Sequence, residues 1–453
     1  MSNDGVEEFP RAPMRPMRHR AAPLATMLAA LLAVSSAQAF DSACTMPAAA
    51  SSPEPGLSAD QHWVATWTTA PQPAFPGPFD RYDRRTVRLI VHSTLGGPRA
   101  RIKVSNAYGD KPLAIADAYL ARRVTGADIV AGSDVALSFG GRRSAVVPAH
   151  ASLTSDAVDI DVPPTSDLAI SLHFSGAAAA STTHALALQT SYLAARPGDA
   201  AADAHWAHAK TIDSWPFLAS VDVAAPRDAF AVVALGDSLV DGDGSTPDAY
   251  QRWTDLLAAR LQRAGAPVSV VDEGLIGNRL LHDSPGGSPF GRGFGGAVVA
   301  RFDRDAPQAG TRVLILRAGA NDIGMVSGVA PESERVTAEQ LIAAYRDLIA
   351  RAHAHGWRVI GVTLTPFEDA KIPGYSTPGH EAMRQQVNAW LRDAHAFDAL
   401  IDADALLRDP AHPSRLQARF DHGDHLHPND AGNALLADAI DVGQLCVGQN
   451  AAH

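Results

Sequence analysis

Ala231-Val232-Val233-Ala234-Leu235-Gly236-Asp237-Ser238-Leu239 is the stretch that decides the fold. Five apolar residues run without a break into Gly-Asp-Ser-Leu. A short uninterrupted apolar run bounded by a turn signal fits a strand buried on both faces, as in a parallel sheet. Gly236 then permits a sharp backbone turn. Ser238 falls where the carboxyl end of a sheet strand meets solvent, the edge at which open α/β sheets bind ligands. Its hydroxyl is a candidate nucleophile.

Downstream of this stretch the pattern is strand, turn, helix. Strands are expected at Phe230–Leu235, Val268–Val271, Arg312–Leu316, Val359–Leu364 and Leu400–Ile401. Helical periodicity is clearest over Ala338–Ala354, where Leu341, Ile342, Tyr345, Leu348, Ile349 and Ala352 share one face. Tyr250–Ala264, Glu381–Ala394 and Ala431–Ile440 read the same way. Alternating elements of this kind predict an α/β fold, a mostly parallel sheet with helices on both faces.

Upstream, from Trp63 to about Val223, the pattern is period-2. Trp63–Trp67, Thr86–His92, Arg101–Ser105, Val158–Val162, Leu168–Phe174, Leu186–Leu193 and Phe217–Val223 are separated by Gly, Pro and Asp turns and predict an all-β sandwich. Trp63, Trp67, Trp206 and Trp215 are expected in its core rather than on a sugar-binding face. The boundary falls near Ala224-Ala225-Pro226-Arg227, giving a sandwich over 61–225 and a second domain over 226–448.

A chain of 453 residues with 46% hydrophobic and 19% charged content is expected to form two or three globular domains. The formal net charge of −11 argues against a nucleic-acid partner and against docking on an anionic membrane. Arg11, Arg15, Arg18 and Arg20 precede the apolar run Leu24–Val34, and Ala37-Gln38-Ala39 follows as an A-x-A site. The run is shorter than the ~20 residues a membrane span needs. Residues 1–39 therefore read as a cleaved signal peptide and predict a secreted or periplasmic protein. Residues 40–60, largely Ala, Ser and Pro, read as a disordered lead-in. Export permits a disulfide between the two cysteines, Cys44 and Cys446, but the sequence leaves pairing and free thiols equally open, as it does the oligomeric state.

Four short motifs follow in order within the second domain: Gly236-Asp237-Ser238-Leu239, Gly274-Leu275-Ile276-Gly277-Asn278-Arg279, Gly319-Ala320-Asn321-Asp322 and Asp424-His425-Leu426-His427-Pro428. Each alone could be a turn or a helix cap; Asn321-Asp322 is a common turn pair, and Asp424 or Asp430 could cap the last helix. Their conjunction resembles the SGNH (GDSL) hydrolases, esterases and related acyl hydrolases, over roughly residues 228–445. The resemblance implies a flavodoxin-like sheet. It makes Ser238 the nucleophile, His427 the general base and Asp424 its acid partner, with Ser238, Gly277 and Asn321 forming the oxyanion site. Asn278-Arg279-Leu280-Leu281 also resembles a subgroup associated with plant-polysaccharide acetyl- and arylesterases.

The chemistry is consistent with those roles. A serine hydroxyl needs an adjacent base at neutral pH, and an imidazole suits that task. Asp424 and His427 are near enough for one loop to hold both, and the carboxylate would fix the ring's tautomer. Competing chemistries have less support. Asp421–His427 is rich in metal-ligand types but lacks H-E-x-x-H or paired C-x-x-C spacing. Asp237, Asp241 and Asp243 lack the EF-hand order and read as a solvated acidic loop. His282–Ala297, with six glycines, lacks the Lys-Ser/Thr of a phosphate loop and reads as a mobile rim beside the second motif. No cofactor or metal is implied. The expected substrate is a small ester or acylated carbohydrate. The alternatives are a non-catalytic carbohydrate-binding or adhesion protein on a hydrolase fold, and a lysophospholipase- or lipase-type acyl hydrolase.

Overall fold

A computed structural model describes residues 57–76, 81–287, 289–326 and 328–445. The expected signal peptide, most of the lead-in and both cysteines lie outside these residues.

The apolar run Phe230–Gly236 is the second strand of a five-stranded parallel sheet. The spatial order is Val268–Gly274, Phe230–Gly236, Thr311–Arg317, Arg358–Val362, Ala399–Ile401. In chain order this is 2-1-3-4-5, the flavodoxin-like arrangement, whose switch point lies beside the first strand. The lack of alternation along that strand has a direct cause. Val233 and Leu235 pack on one face with Leu314, Leu316 and the Ala338–Ala354 and Pro378–Asp393 helices. Phe230, Val232 and Ala234 pack on the other with Ile315, Ile360, Trp253, Leu257 and Leu436. Both faces are dry, so both sets of side chains are apolar.

The N-terminal strands are antiparallel and form two principal sheets. One joins Gln61–Thr68, Leu218–Pro226, Gly97–Ser105, Ser152–Thr154 and Val158–Val162; the other centres on Thr86–Ser93, Ser166–His173 and Asp117–Thr125. Val64, Ile102, Val104 and Val223 of the first meet Val87, Leu89, Leu120 and Ile170 of the second in one core, consistent with a β-sandwich. Trp67 and Trp215 are buried there. Trp63 is buried outside that core, with the Arg101 guanidinium 4.5 Å from its ring centre. Trp206 is half-buried, with the Arg88 guanidinium 4.2 Å from its ring centre.

Two expectations need correction. The strand predicted over Leu186–Leu193 is confined to Ser191–Leu193, because Leu188 takes a left-handed backbone (φ 49°) that no extended run can contain. The strand Asp117–Thr125 is absent from the expected set. Leu120 faces the sandwich core and Ala121 a separate cluster with Ile90, Ile129 and Ala169, so the period-2 signal is blurred.

The sandwich covers one edge of the parallel sheet. Thr68 Oγ1 donates to the Asp272 carbonyl (3.0 Å) and Ser269 Oγ to the Ala65 carbonyl (2.5 Å). Tyr250 donates from its hydroxyl to Asp167 (2.6 Å) and stacks on His92 at 3.9 Å. Covering an edge strand removes its unpaired backbone groups from solvent. Among the described residues no helix is long and apolar enough to cross a membrane.

Candidate active site

Gly236 ends its strand, paired with Gly274 on one side and Arg317 on the other. Its role is spatial: its φ is not positive, and a Cβ there would collide with the Arg317 carbonyl oxygen. Asp237 follows as the N-cap of a four-residue helix, Ser238–Asp241, accepting from the Leu239 N–H at 3.1 Å. Gly242 closes the helix with a left-handed φ of 91°, where an L side chain would be strained. Ser238 is thereby held at the first helical position, just beyond the carboxyl edge of the sheet.

His427 reaches Ser238 from the loop before the Asp430–Ala439 helix, 189 residues further along the chain. Its Nε2 lies 2.8 Å from Ser238 Oγ, and its Nδ1 lies 2.6 Å from Asp424 Oδ2. Asp424 Oδ1 accepts the backbone N–H groups of Leu426 (3.0 Å) and His427 (2.9 Å), which fixes the carboxylate. An Nδ1–H directed at Asp424 leaves the Nε2 lone pair facing the serine hydroxyl. The last helix is capped by Asn429 and not by Asp424 or Asp430; Asp430 instead accepts from Thr246.

Burial disfavours the charged form of His427. The Asp424 hydrogen bond and the negative charges of Asp243, Asp424 and Asp237 outweigh it, so the ring's pKa lies above the usual imidazole value. Burial likewise opposes ionisation of Asp424, but its hydrogen bonds and the facing imidazole hold its carboxyl well below the ordinary range. Asp243 Oδ2 lies 3.6 Å from His427 Nε2, so a second carboxylate faces the reacting side of the ring.

The other predicted residues are built into the flanking loops. Gly277 has a φ of 67°, and a Cβ there would strike the Phe294 ring. Asn321 lies at the start of the short Ala320–Gly324 helix. Its Nδ2 donates to the Asn278 carbonyl (2.9 Å) and its Oδ1 accepts from the Tyr375 hydroxyl (2.8 Å), which sets the direction of the amide. Asp322 holds the second-motif loop through the Leu280 (2.5 Å) and Leu281 (2.9 Å) N–H groups. Burial pushes its carboxyl up to about 6 against those same hydrogen bonds.

The acidic loop is not solvated as expected. Asp237 is buried against the Arg317 guanidinium, and Asp241 is buried 3.0 Å from His184 of the sandwich. Two of its three carboxylates are therefore engaged by internal cations; Asp243 alone is partly open. Within Asn278-Arg279-Leu280-Leu281 the polar residues are internal struts. Asn278 donates to the Phe294 and Gly296 carbonyls (both 2.8 Å) and accepts from Arg301 (3.0 Å), and Arg279 pairs with Glu334 at 2.6 Å. The glycine-rich rim is pinned to the sandwich by Gln72, which donates to the Gly293 carbonyl, and by Phe75 edge-on to Phe294. Tyr375 lies in a loop with no motif, and its link to Asn321, 54 residues away, had no sequence signal.

A flavodoxin-like sheet with these four motifs at its carboxyl edge defines a carboxylic ester hydrolase of the GDSL type. Residues 234–435 match the GDSL-like lipase/acylhydrolase family. No match to a curated protein was found. Among solved structures, the native aryl esterase of M. smegmatis is similar at 22% identity, covering 47% of this chain and 96% of that one with a TM-score of 0.35. A carbohydrate acetylesterase family member from Sinorhizobium meliloti is similar at 16% identity, 46% and 94% coverage and a TM-score of 0.35. A lipase/acylhydrolase from Enterococcus faecalis is similar at 17% identity, 46% and 92% coverage and a TM-score of 0.35.

Proposed function

We propose that this chain is an exported serine esterase that cleaves esters of acetyl or other short acyl groups through Ser238, His427 and Asp424. The observation that carries the proposal is the unbroken relay from Ser238 Oγ through both ring nitrogens of His427 to Asp424, at 2.8 Å and 2.6 Å. Export rests on the basic, apolar and A-x-A pattern of residues 1–39.

Ser238 Oγ attacks the ester carbonyl carbon as its proton passes to His427 Nε2. The carbonyl oxygen becomes an oxyanion, met by the Ser238 and Gly277 backbone N–H groups and the Asn321 amide. Collapse expels the alcohol, which takes the proton from His427 and leaves an acyl-serine. Water then attacks the acyl group, giving its proton to His427; the acid departs and the hydroxyl is restored. Asp424 stays ionised and holds the ring's orientation throughout.

One feature favours uncharged esters. Asp243 and Asp424 place negative charge on both sides of the imidazole, which disfavours anionic substrates and helps expel the carboxylate product. Aryl and carbohydrate acetates are the first substrates to assay. Ser238→Ala should abolish p-nitrophenyl acetate hydrolysis and fluorophosphonate labelling while the circular dichroism spectrum is retained. A folded variant that still turned over ester would defeat the proposal, and a wild-type protein that resisted labelling would favour a non-catalytic binding role.

A further inference from the structure

Apart from the relay, a buried cluster of charge lies where the sandwich meets the α/β domain. His184 follows the Thr182–Thr183 strand and is 2% exposed; Asp241, the last residue of the Ser238–Asp241 helix, is 1% exposed. The ring's Nε2 lies 3.0 Å from Asp241 Oδ1 and its Nδ1 lies 3.1 Å from the Ala70 carbonyl oxygen. Both nitrogens face oxygen acceptors, so both must carry a proton for both bonds to form, and the ring is an imidazolium. Trp215 packs beside it, ring centres 5.6 Å apart.

Asp241 connects the cation to two parts of the site. Its Oδ2 accepts the N–H of Ile276 at 2.7 Å, and Ile276 immediately precedes Gly277. Its carbonyl accepts from Arg252 Nε at 2.8 Å, and Arg252 Nη2 donates to the Ala187 carbonyl of the sandwich at 2.5 Å. Gly274 is required at the close approach, since a Cβ there would strike the Asp241 N–H. One carboxylate thus joins the nucleophile's helix to the loop that carries a second oxyanion donor, and two cationic side chains tie that junction to the sandwich.

We propose that His184 is a positioning residue of the esterase centre, locking the Ser238 turn against the Gly277 loop through Asp241, so that the sandwich is part of the catalytic machinery. The inference rests on the esterase reading above. Oxyanion stabilisation depends on two N–H groups meeting one oxygen at hydrogen-bond range. A displacement of about 1 Å can cost up to about a hundredfold in rate.

The test compares full-length wild type, Ser238→Ala, His184→Ala, His184→Gln, Asp241→Asn and the His184→Ala/Asp241→Asn double variant on p-nitrophenyl acetate. Turnover is normalised to fluorophosphonate-labelled serine, so that only active molecules count. His184→Ala and Asp241→Asn should each lower kcat about ten- to a hundredfold with KM little changed. The double variant should be no worse than the poorer single one, because both act through one link. Glutamine at 184 can still donate to Asp241 and should recover part of the loss. A kcat per labelled serine within twofold of wild type for His184→Ala, with only the melting temperature lowered, would overturn the inference. If the alanine variant does not fold, unchanged kcat in both His184→Gln and Asp241→Asn overturns it equally. Turnover by wild type that Ser238→Ala lacks secures the esterase reading independently; no turnover by wild type would topple both.

Discussion

Replacing Asp424 by asparagine tests whether the relay works through the tautomer of His427. Asp424 Oδ1 is bound to two backbone N–H groups, at 3.0 and 2.9 Å, and only an oxygen can fill that place. The asparagine NH2 must then occupy the Oδ2 position, 2.6 Å from His427 Nδ1 in the wild type. Donor would face donor, and the strain is relieved when the ring moves its proton to Nε2. Nε2–H then points at Ser238 and has no lone pair to accept the serine proton. Restoring the productive tautomer forfeits a charge-assisted hydrogen bond of about 1.5–3 kcal/mol. The imidazolium formed in the reaction also loses its adjacent anion, a pairing on the order of 4 kcal/mol for unit charges ~4 Å apart near a protein surface. These two losses overlap, and Asp424 is 33% exposed, so solvent screening reduces them. A combined loss of about 3–5 kcal/mol corresponds to about 10²–10⁴ in kcat. The assay is kcat on p-nitrophenyl acetate at pH 8 for the asparagine and alanine variants. Asp424→Ala should be the milder, because it removes the anion without installing a wrong donor. Asparagine activity within tenfold of wild type would refute the relay, and alanine as damaging as asparagine would refute the tautomer argument.

Asn321→Ala should lower kcat by about 3 kcal/mol, on the order of a hundredfold, with KM nearly unchanged; Tyr375→Phe removes only the hydroxyl that orients the amide and should cost about 1 kcal/mol, roughly fivefold. Because the facing carboxylates raise the His427 pKa above its ordinary 6.5, kcat/KM should fall as pH drops through a value above 6.5, where the ring becomes charged and can no longer accept a proton. Asp243→Asn removes one of those charges and should move that acidic limb to lower pH; an unmoved limb would show that Asp243 does not act on the ring. Arg317→Met would strand the Asp237 carboxylate, which is fully buried, and should lower unfolding stability by about 3–5 kcal/mol in urea titration.

The sheet was legible because its strands are buried on both faces, and the long helices because their apolar stripe has a single period. Ser238, His427 and Asp424 could be picked out as candidates because each lies in a short turn at the end of an element, where spacing is local. Partnerships that cross between elements were hidden. Nothing in Tyr375 announces a bond to Asn321, and nothing in His184 announces a partner on the nucleophile's helix. Asp237 and Asp241 read as solvated in the sequence because a cluster of acids in a turn normally is. Their cations come from elsewhere in the fold, Arg317 from the end of another strand of the sheet and His184 from the sandwich. Asp322 stands within its motif, but its role, bonding backbone N–H groups 41 and 42 residues away, is a property of the fold alone.

The motif residues divide by what they face. In the mechanism proposed above, Ser238, Gly277, Asn321 and His427 are the residues that meet the ester, whereas Asp237, Asp241, Asn278, Arg279 and Asp322 turn inward and bind backbone groups or opposite charges. Burying those polar groups costs desolvation, and an apolar replacement of equal volume could leave the fold as stable or more so. What apolar packing cannot do is fix a loop's backbone in one direction, because dispersion has no preferred angle, whereas a carboxylate accepting two N–H groups does. Loops that must hold backbone donors to a fraction of an ångström therefore need buried polar struts. On that argument the inward-facing residues should separate experimentally from the core. Asp322→Asn, which keeps volume and one acceptor, should lower kcat about tenfold or more on p-nitrophenyl acetate while shifting the melting temperature little. A Leu316→Ala cavity should do the reverse, costing about 2–5 kcal/mol of stability with kcat per labelled serine preserved. Equal partition of both variants between stability and rate would show that these carboxylates serve the fold and not the geometry of the site.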